Sequence, residues 1–174
     1  MYRELEKVLF TKTAISARTL SLSRAISRDY AHTSLTVVSL MQGALPFTAD
    51  LIKNITVPMR LNTILVSSYK GEERSSGNLN IQGDIPYLKG ENILIIDDIL
   101  DSGLTLTSLR EVFLKQEPTS VKICALLVKD IKRAYPIEPD YYGFKMGEEF
   151  VVGYGLDYQG FYRNLPMIGI PKIK

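Results

Sequence analysis

Short apolar runs alternate along this chain with segments in which apolar residues recur at every third or fourth position. The apolar runs predict strands buried on both faces of a parallel sheet, and they cover residues 35–41, 61–67, 93–96 and 121–128. The periodic segments predict helices at residues 11–29, 44–54 and 105–116. This alternation is typical of the α/β class, with a mainly parallel twisted sheet flanked by helices.

The segments between these elements predict smaller features. Short strands are expected at residues 140–144, 149–154 and 168–173. Residues 68–83 predict a long polar loop, which favours a mobile lid over the alternative of a plain hairpin connection. The arginines of the first helix are expected to face solvent, and they are Arg18, Arg24 and Arg28.

Composition limits the possible functions. A chain of 174 residues suits one domain, residues 1–174, and a net charge of +2 offers no basic surface for nucleic acid. The single cysteine, Cys124, lies in an apolar run, so we expect a buried thiol and no disulfide. We find no signal peptide and no apolar run of ~18 residues, and therefore expect a cytoplasmic protein without a membrane partner.

The strand at residues 93–96 leads into an acidic turn that is rich in hydroxyl groups and precedes a helix. Asp97 and Asp98 stand where the strand should reach the surface, and as neighbours in a strand they should address different partners. Residues 101–103 have the composition of a turn, and Thr105 and Thr107 add hydroxyl groups. Free backbone N–H groups and the helix dipole make such a turn an anion site.

The acids in this turn suit a sugar phosphate better than a phosphate alone, because carboxylates accept hydrogen bonds from ribose hydroxyls. A Walker A loop is excluded, since the chain contains no G-x-x-x-x-G-K-[ST] sequence. An ordinary strand–turn–helix with a solvated acidic turn remains the alternative. Residues 42–44 form a second turn of this kind, with Pro46 in the first turn of its helix. Both turns should line one crevice at the carboxyl ends of the strands.

The acidic turn resembles the phosphoribosyl pyrophosphate (PRPP) motif of the type I phosphoribosyltransferases. Further segments extend the resemblance to the hypoxanthine–guanine branch of that family, and these are residues 42–47, 67–69, 75–77, 126–129 and 150–158. The resemblance implies transfer of a phosphoribosyl group from PRPP to a 6-oxopurine with Mg²⁺, a small hood built from the chain-terminal segments, and a homodimer or homotetramer. It also predicts an unusual backbone at the Gly43 turn, with a non-proline cis peptide as one form.

The resemblance implies a role for individual residues. Asp101 is implied as the catalytic base near purine N7. The residues implied to bind PRPP are Asp97, Asp98, Asp101, Ser102, Gly103, Leu104, Thr105, Gln42, Gly43, Ser68, Tyr69 and Arg163. Those implied to bind the purine are Lys129, Phe150, Val151 and Asp157, and those implied to hold the metal are Asp157, Asp97 and Asp98. Lys129 would select oxopurines, because an ammonium group donates hydrogen bonds and cannot accept one from an amino group.

Three positions depart from the common pattern of the family. Asp97 replaces Glu, while Leu104 and Gln42 each replace Lys. These changes predict weaker PRPP or pyrophosphate binding, another acceptor, or a non-catalytic role. A regulator that senses PRPP or nucleotides is therefore the alternative function.

Three of the residues also have simpler interpretations that do not depend on the family. Without the resemblance, Lys129 could be a solvated strand end, Phe150 a core residue and Asp157 a turn residue. The preference among hypoxanthine, guanine and xanthine stays open.

Overall fold

A computed structural model describes residues 5–67, 80–83 and 85–172. Its strands are β1 (Leu5–Phe10), β2 (Leu35–Met41), β3 (Met59–Ser67), β4 (Asn80–Gln82), β5 (Asn92–Leu100), β6 (Ser120–Lys129), β7 (Tyr141–Met146) and β8 (Ile168–Pro171). Its helices are α1 (Lys12–Asp29), α2 (Leu45–Ile52) and α3 (Leu104–Leu114). Among the described residues, no helix is both long and apolar enough to cross a membrane.

Six strands form the central sheet in the order β4-β3-β2-β5-β6-β7. All neighbours are parallel except β4, which runs antiparallel to β3 at one edge. One face packs on α1 and α2 through residues such as Val37 and Leu94, while Val38 and Ile95 pack with α3 on the other. Neighbouring residues of one strand thus reach opposite cores, which explains the continuous apolar runs. The predicted α/β fold is confirmed.

The chain-terminal segments form the predicted hood. β1 and β8 pair antiparallel as a separate two-stranded sheet, so the first and last described strands lie side by side. A bridge between Val152 and Gly169 ties the segment that precedes β8 to this small sheet. Because that segment carries several predicted site residues, the hood sets their position relative to the central sheet.

The first helix confirms its predicted range and corrects one prediction. Thr11 caps α1 by accepting a hydrogen bond from the N–H of Ala14 at 3.2 Å. Arg18 does not simply face solvent, because its guanidinium donates to the carbonyls of Tyr142 (2.7 Å) and Gly143 (2.8 Å). It thereby binds two carbonyl groups of β7, the edge strand of the central sheet.

Two other predictions are wrong in part. Residues 149–154 do not form a strand, because Gly153, Tyr154 and Gly155 have φ values of 101°, 50° and 103°, which extended backbone does not allow. Residues 80–82 form β4 instead of continuing the loop, and β4 pairs with β3 as in the hairpin alternative. The predicted lid, with Ser68 and Tyr69, falls on residues 68–79 and lies outside the described residues.

Candidate active site

The acidic turn lies at the carboxyl end of β5, in the centre of the sheet. Gly103 precedes α3 in the left-handed conformation, with a φ of 83°, and a Cβ atom there would overlap the carbonyl oxygen of Tyr135. Ser102 and Thr105 line a cavity of about 80 Å³ beside this turn. The hydroxyl of Thr107 does not line the cavity; it is buried and has no hydrogen-bond partner among the described residues.

Asp97 and Asp98 are partly buried at the end of β5, and their carboxylates interact with each other. The N–H of Asp98 donates to Asp97 Oδ1 at 3.0 Å, and the N–H of Ile99 donates to Asp98 Oδ1 at 2.9 Å. Burial, followed by the charge of Asp98, raises the pKa of Asp97 well above its ordinary value. Burial also raises the pKa of Asp98, although hydrogen bonds with the Asp97 side chain and the N–H of Ile99, and then the positive charge of Arg163, oppose this shift. Such a pair is suited to a cation or to hydroxyl donors.

Lys129 and Asp101 form an ion pair at the carboxyl edge of the sheet. Lys129 ends β6, which pairs with β5, and its Nζ lies 2.7 Å from Asp101 Oδ2. The Lys129 side chain is only 17% exposed and that of Asp101 is 50% exposed. Lys129 is therefore not a solvated strand end. The structure brings together the two residues predicted to contact N7 and the 6-oxygen, which are neighbouring atoms on one edge of a purine.

The turn after β2 confirms the predicted unusual backbone. The peptide bond between Met41 and Gln42 is cis. Gly43 lies against Asp98, since a Cβ atom at Gly43 would overlap that carboxylate. A Cβ atom at Gly155 would in turn overlap the carbonyl oxygen of Gly43. Three parts of the chain therefore meet at one point: the end of β2, the end of β5 and the segment around Gly155 beneath the hood. This agrees with the prediction that both turns line one crevice.

The segment from residue 150 to residue 163 lies beside this meeting point. Phe150 is 50% exposed, so it is not a core residue, while Val151 is buried. Asp157 Oδ1 pairs with Arg163 Nη2 at 2.7 Å, and Asp157 Oδ2 accepts the N–H of Gly160 at 2.7 Å. Asp157 therefore also acts as a turn residue, and the residue predicted to contact the metal is paired directly with the one predicted to contact pyrophosphate.

Two further features qualify the predicted site. Among the described residues, no three His, Cys, Asp or Glu side chains form a metal-binding group. Sequence reasoning also overlooked residues 130–140, which connect β6 to β7 and contact both the acidic turn and Lys129. No local pattern could have revealed these contacts, because they join a loop to elements distant in the sequence.

Comparisons with known proteins agree with this geometry. Residues 9–159 match the phosphoribosyl transferase domain family. The hypoxanthine-guanine phosphoribosyltransferase of Streptococcus pneumoniae is 42% identical over 97% of this chain and 94% of its own. That of Bacillus subtilis is 42% identical over 99% and 96%. A solved hypoxanthine phosphoribosyltransferase from Staphylococcus aureus is 39% identical, with a TM-score of 0.92, over 97% of this chain and 92% of its own. The chain belongs to the hypoxanthine–guanine branch of the phosphoribosyl transferase family.

Proposed function

We propose that this chain transfers the phosphoribosyl group of PRPP to N9 of hypoxanthine, guanine or both, forming IMP or GMP and pyrophosphate. The observation that best supports this function is the 2.7 Å contact between Lys129 Nζ and Asp101 Oδ2 beside the acidic turn. A donor and an acceptor at this separation can address the 6-oxygen and N7 of one purine. Nothing in the described residues or the relatives favours the regulator alternative.

The purine would lie between the sheet edge and the hood. Lys129 donates to the 6-oxygen, the exposed ring of Phe150 stacks on the base, and the backbone of Val151 reads the base edge. Asp101 accepts the N7 proton as the bond from N9 to the ribose carbon forms. Because charge develops on the base only during that step, this hydrogen bond strengthens in the transition state and lowers the barrier.

PRPP would occupy the crevice between the two turns. The backbone and hydroxyls of residues 102–105 hold its 5-phosphate, since a helix N-terminus attracts anions. Asp97 and Asp98 accept hydrogen bonds from the ribose hydroxyls. The proposed pyrophosphate contacts are Gln42, Gly43, Arg163, Ser68 and Tyr69. Once Arg163 turns towards pyrophosphate, Asp157 Oδ1 becomes free for another partner.

Mg²⁺ fits the residues present. Asp97 and Asp98 are two interacting carboxylates whose pKa values are raised, chiefly by burial, and a divalent cation would relieve their repulsion in place of a proton. Because the described acidic side chains do not form a metal-binding group by themselves, we propose that Asp97, Asp98 and Asp157 hold the ion together with substrate oxygens and water, as Mg²⁺ prefers. The ion would neutralise charge on the departing pyrophosphate.

A direct assay tests the function. Purified protein is incubated with PRPP, Mg²⁺ and hypoxanthine, guanine, xanthine or adenine, and nucleotide and pyrophosphate are quantified. We expect equal amounts of IMP and pyrophosphate from hypoxanthine, and no product from adenine. Lys129→Met should lower kcat/KM for the oxopurines, while Lys89→Met, which removes an exposed lysine, should not. Binding of PRPP without product from any base would instead support a regulator.

The chain is also proposed to be a single domain, residues 1–174, that assembles as a homodimer or homotetramer. Leu61 and Leu65 of β3 point to the same face of the sheet and are 46% and 38% exposed, which favours an interface there. Light scattering on the eluting protein measures the assembly, and Leu61→Asp should shift it towards monomer. A monomeric wild-type protein would contradict this proposal. The cytoplasmic location stays a prediction.

A further inference from the structure

The connection between β6 and β7, residues 130–140, covers the acidic turn. The N–H of Tyr135 donates to the carbonyl of Ser102 at 3.3 Å. Gly103 approaches the same segment so closely that a Cβ atom would overlap the carbonyl oxygen of Tyr135. Ile137 is 6% exposed and packs in the core on the α3 side of the sheet. The connection is thus anchored in the core and in contact with the proposed phosphate turn.

Arg133 holds this connection to the end of β6. Its Nη2 donates to the carbonyl oxygen of Lys129 at 2.6 Å, and its Nη1 pairs with Glu138 Oε1 at 3.0 Å. The Arg133 side chain is only 10% exposed, whereas that of Glu138 is 79% exposed. Exposed ion pairs contribute little, so the shielded, charge-assisted bond to Lys129 is the more important contact.

Arg133 is not satisfied completely at this position. Its Nε is buried and has no hydrogen-bond partner among the described residues. Buried donors without partners are rare in folded proteins, and each calls for an explanation. A buried guanidinium with one N–H unpaired within the described part of the chain therefore lies at the strand end that carries Lys129.

We propose that Arg133 is a positioning residue that fixes the backbone of Lys129, and thereby holds Lys129 Nζ beside Asp101 in line with the purine 6-oxygen. Since Lys129 contacts a purine only under the proposed function, this inference rests on that function. A lysine side chain is long and flexible, so the position of its backbone limits where its ammonium group can reach. Fixing the backbone of Lys129 therefore restricts the positions that its ammonium group can take. Displacement of a substrate contact by ~1 Å can cost ~10²-fold in rate.

Three variants separate positioning from mere stability. Arg133→Met removes the donor but keeps an apolar stem, and should lower kcat/KM for hypoxanthine by ~10–100-fold, by analogy with such displacements. KM for PRPP should change less than about threefold, because backbone amides hold its phosphate. Arg133→Lys should restore part of the loss, since an ammonium can still donate to the Lys129 carbonyl. Glu138→Gln is the matched control and should stay within about twofold of wild type.

Hydrogen exchange on the ligand-free proteins gives a readout that does not depend on catalysis. Arg133→Met should speed exchange of the amides from 129 to 135 and leave α1 unchanged, whereas Glu138→Gln should change neither. If the wild type shows no transferase activity, the proposed function is wrong, and exchange still decides whether Arg133 fixes this segment. If Arg133→Met does not fold, Arg133→Lys takes its place, with a smaller loss expected. A lower Tm without the unequal effects on the two substrates, or without faster exchange near Lys129, would overturn the inference.

Discussion

Two strand–turn–helix units meet at the carboxyl edge of the sheet, and their turns differ in what holds them. Between β5 and α3, Gly103 has a φ of 83° and the exposed Asp101 and Ser102 precede it beside a cavity. Between β2 and α2, the turn contains a cis peptide and leads into an apolar helix with Pro46 in its first turn. The N-cap residues, Ala44 and Gly103, make no side-chain cap hydrogen bond, although Ser102 Oγ accepts from the N–H of Leu104 at 3.4 Å. Both turns therefore lack the usual N-cap side chain, which leaves room for an anion near the helix start.

The difference shows two ways to build an anion site from one topology. The first turn takes its shape mainly from its own residues, because a glycine in the left-handed conformation and polar neighbours are local features, and Tyr135 of the distant β6–β7 connection adds a contact to it. The second turn depends on other segments: Gly43 lies against Asp98, and Gly155 lies against the carbonyl of Gly43. We therefore expect substitutions in the first turn to affect mainly the shape of that turn. Substitutions in the second turn should affect the site by displacing Asp98 and the segment beneath the hood.

The largest effect is expected from Asp101→Asn in the first turn. The amide keeps the shape of the side chain but cannot take the purine proton, so kcat should fall by ~10²–10⁴-fold. PRPP affinity should change little. Steady-state kinetics, PRPP calorimetry and Tm on one preparation check this. A nearly normal kcat with a lowered Tm would mean that Asp101 only supports the helix start, worth about 1 kcal/mol.

The two turns can be separated directly by Gly103→Ala and Gly43→Ala. At Gly103 the left-handed backbone costs about 1–2 kcal/mol for a non-glycine residue, and the overlap with the Tyr135 carbonyl adds to this. At Gly43 the obstacle is the Asp98 side chain, which can rotate. Gly103→Ala should therefore lower the free energy of unfolding more, while Gly43→Ala should mainly weaken PRPP binding.

Gly160→Ala provides the matched control for this pair. Gly160 has the same φ of 83°, yet nothing lies within 4 Å of the position that a Cβ atom would take there. The loss of unfolding free energy in Gly160→Ala therefore measures the cost of the left-handed backbone alone. Denaturant unfolding of the three variants gives the cost of overlap at Gly103 by difference. Equal losses at Gly103 and Gly160 would show that contact with Tyr135 does not constrain the first turn.

A smaller effect is expected from Asp97→Asn, which removes one charge from the acidic pair. Because burial and Asp98 raise the pKa of Asp97, the folded state binds this proton more tightly than the unfolded state. Stability should therefore decline as pH rises from about 4, the ordinary pKa, through the raised pKa. Asparagine cannot ionise, so the variant should have a higher Tm at pH 7 and a weaker decline.

Thermal unfolding from pH 5 to pH 8 measures this difference. In a chain of this size, each kcal/mol of unfolding free energy shifts Tm by about 2–4 °C. Glu111→Gln, which removes an exposed carboxylate on α3, should leave the pH profile unchanged. If Tm declines equally with pH in Asp97→Asn and in the wild type, ionisation of the acidic pair does not oppose folding.

The smallest effect is expected from Tyr154→Phe, which tests the link from the second turn to the hood. The Tyr154 hydroxyl donates to Asp50 Oδ2 of α2 at 2.8 Å. Loss of this hydrogen bond should lower the free energy of unfolding by about 1 kcal/mol, as for a typical hydrogen bond. kcat should stay near the wild-type value. A large fall in kcat with unchanged stability would mean that the second turn depends on α2 more than on Asp98.

The sequence by itself determined the parallel sheet, the three helices of the described residues and the residues of the acidic turn. These features depend on short-range patterns: apolar runs for buried strands, an apolar stripe for each helix, and glycine with polar residues at a turn. The resemblance to a known family supplied Lys129 and Asp101 as partners in one site. Residues 149–154 misled the prediction because their apolar character suggests a strand, while glycines at 153 and 155 allow the turns that the hood requires.

Only the tertiary structure decided how the separate segments meet. Lys129 and Asp101 are 28 residues apart, and their contact exists because β5 and β6 are neighbours in the sheet. The contacts of Gly43 with Asp98, and of Arg133 with the Lys129 carbonyl, likewise depend on where distant elements end. No periodic pattern encodes such contacts, because each is set by the packing of whole elements and the path of the connection between them.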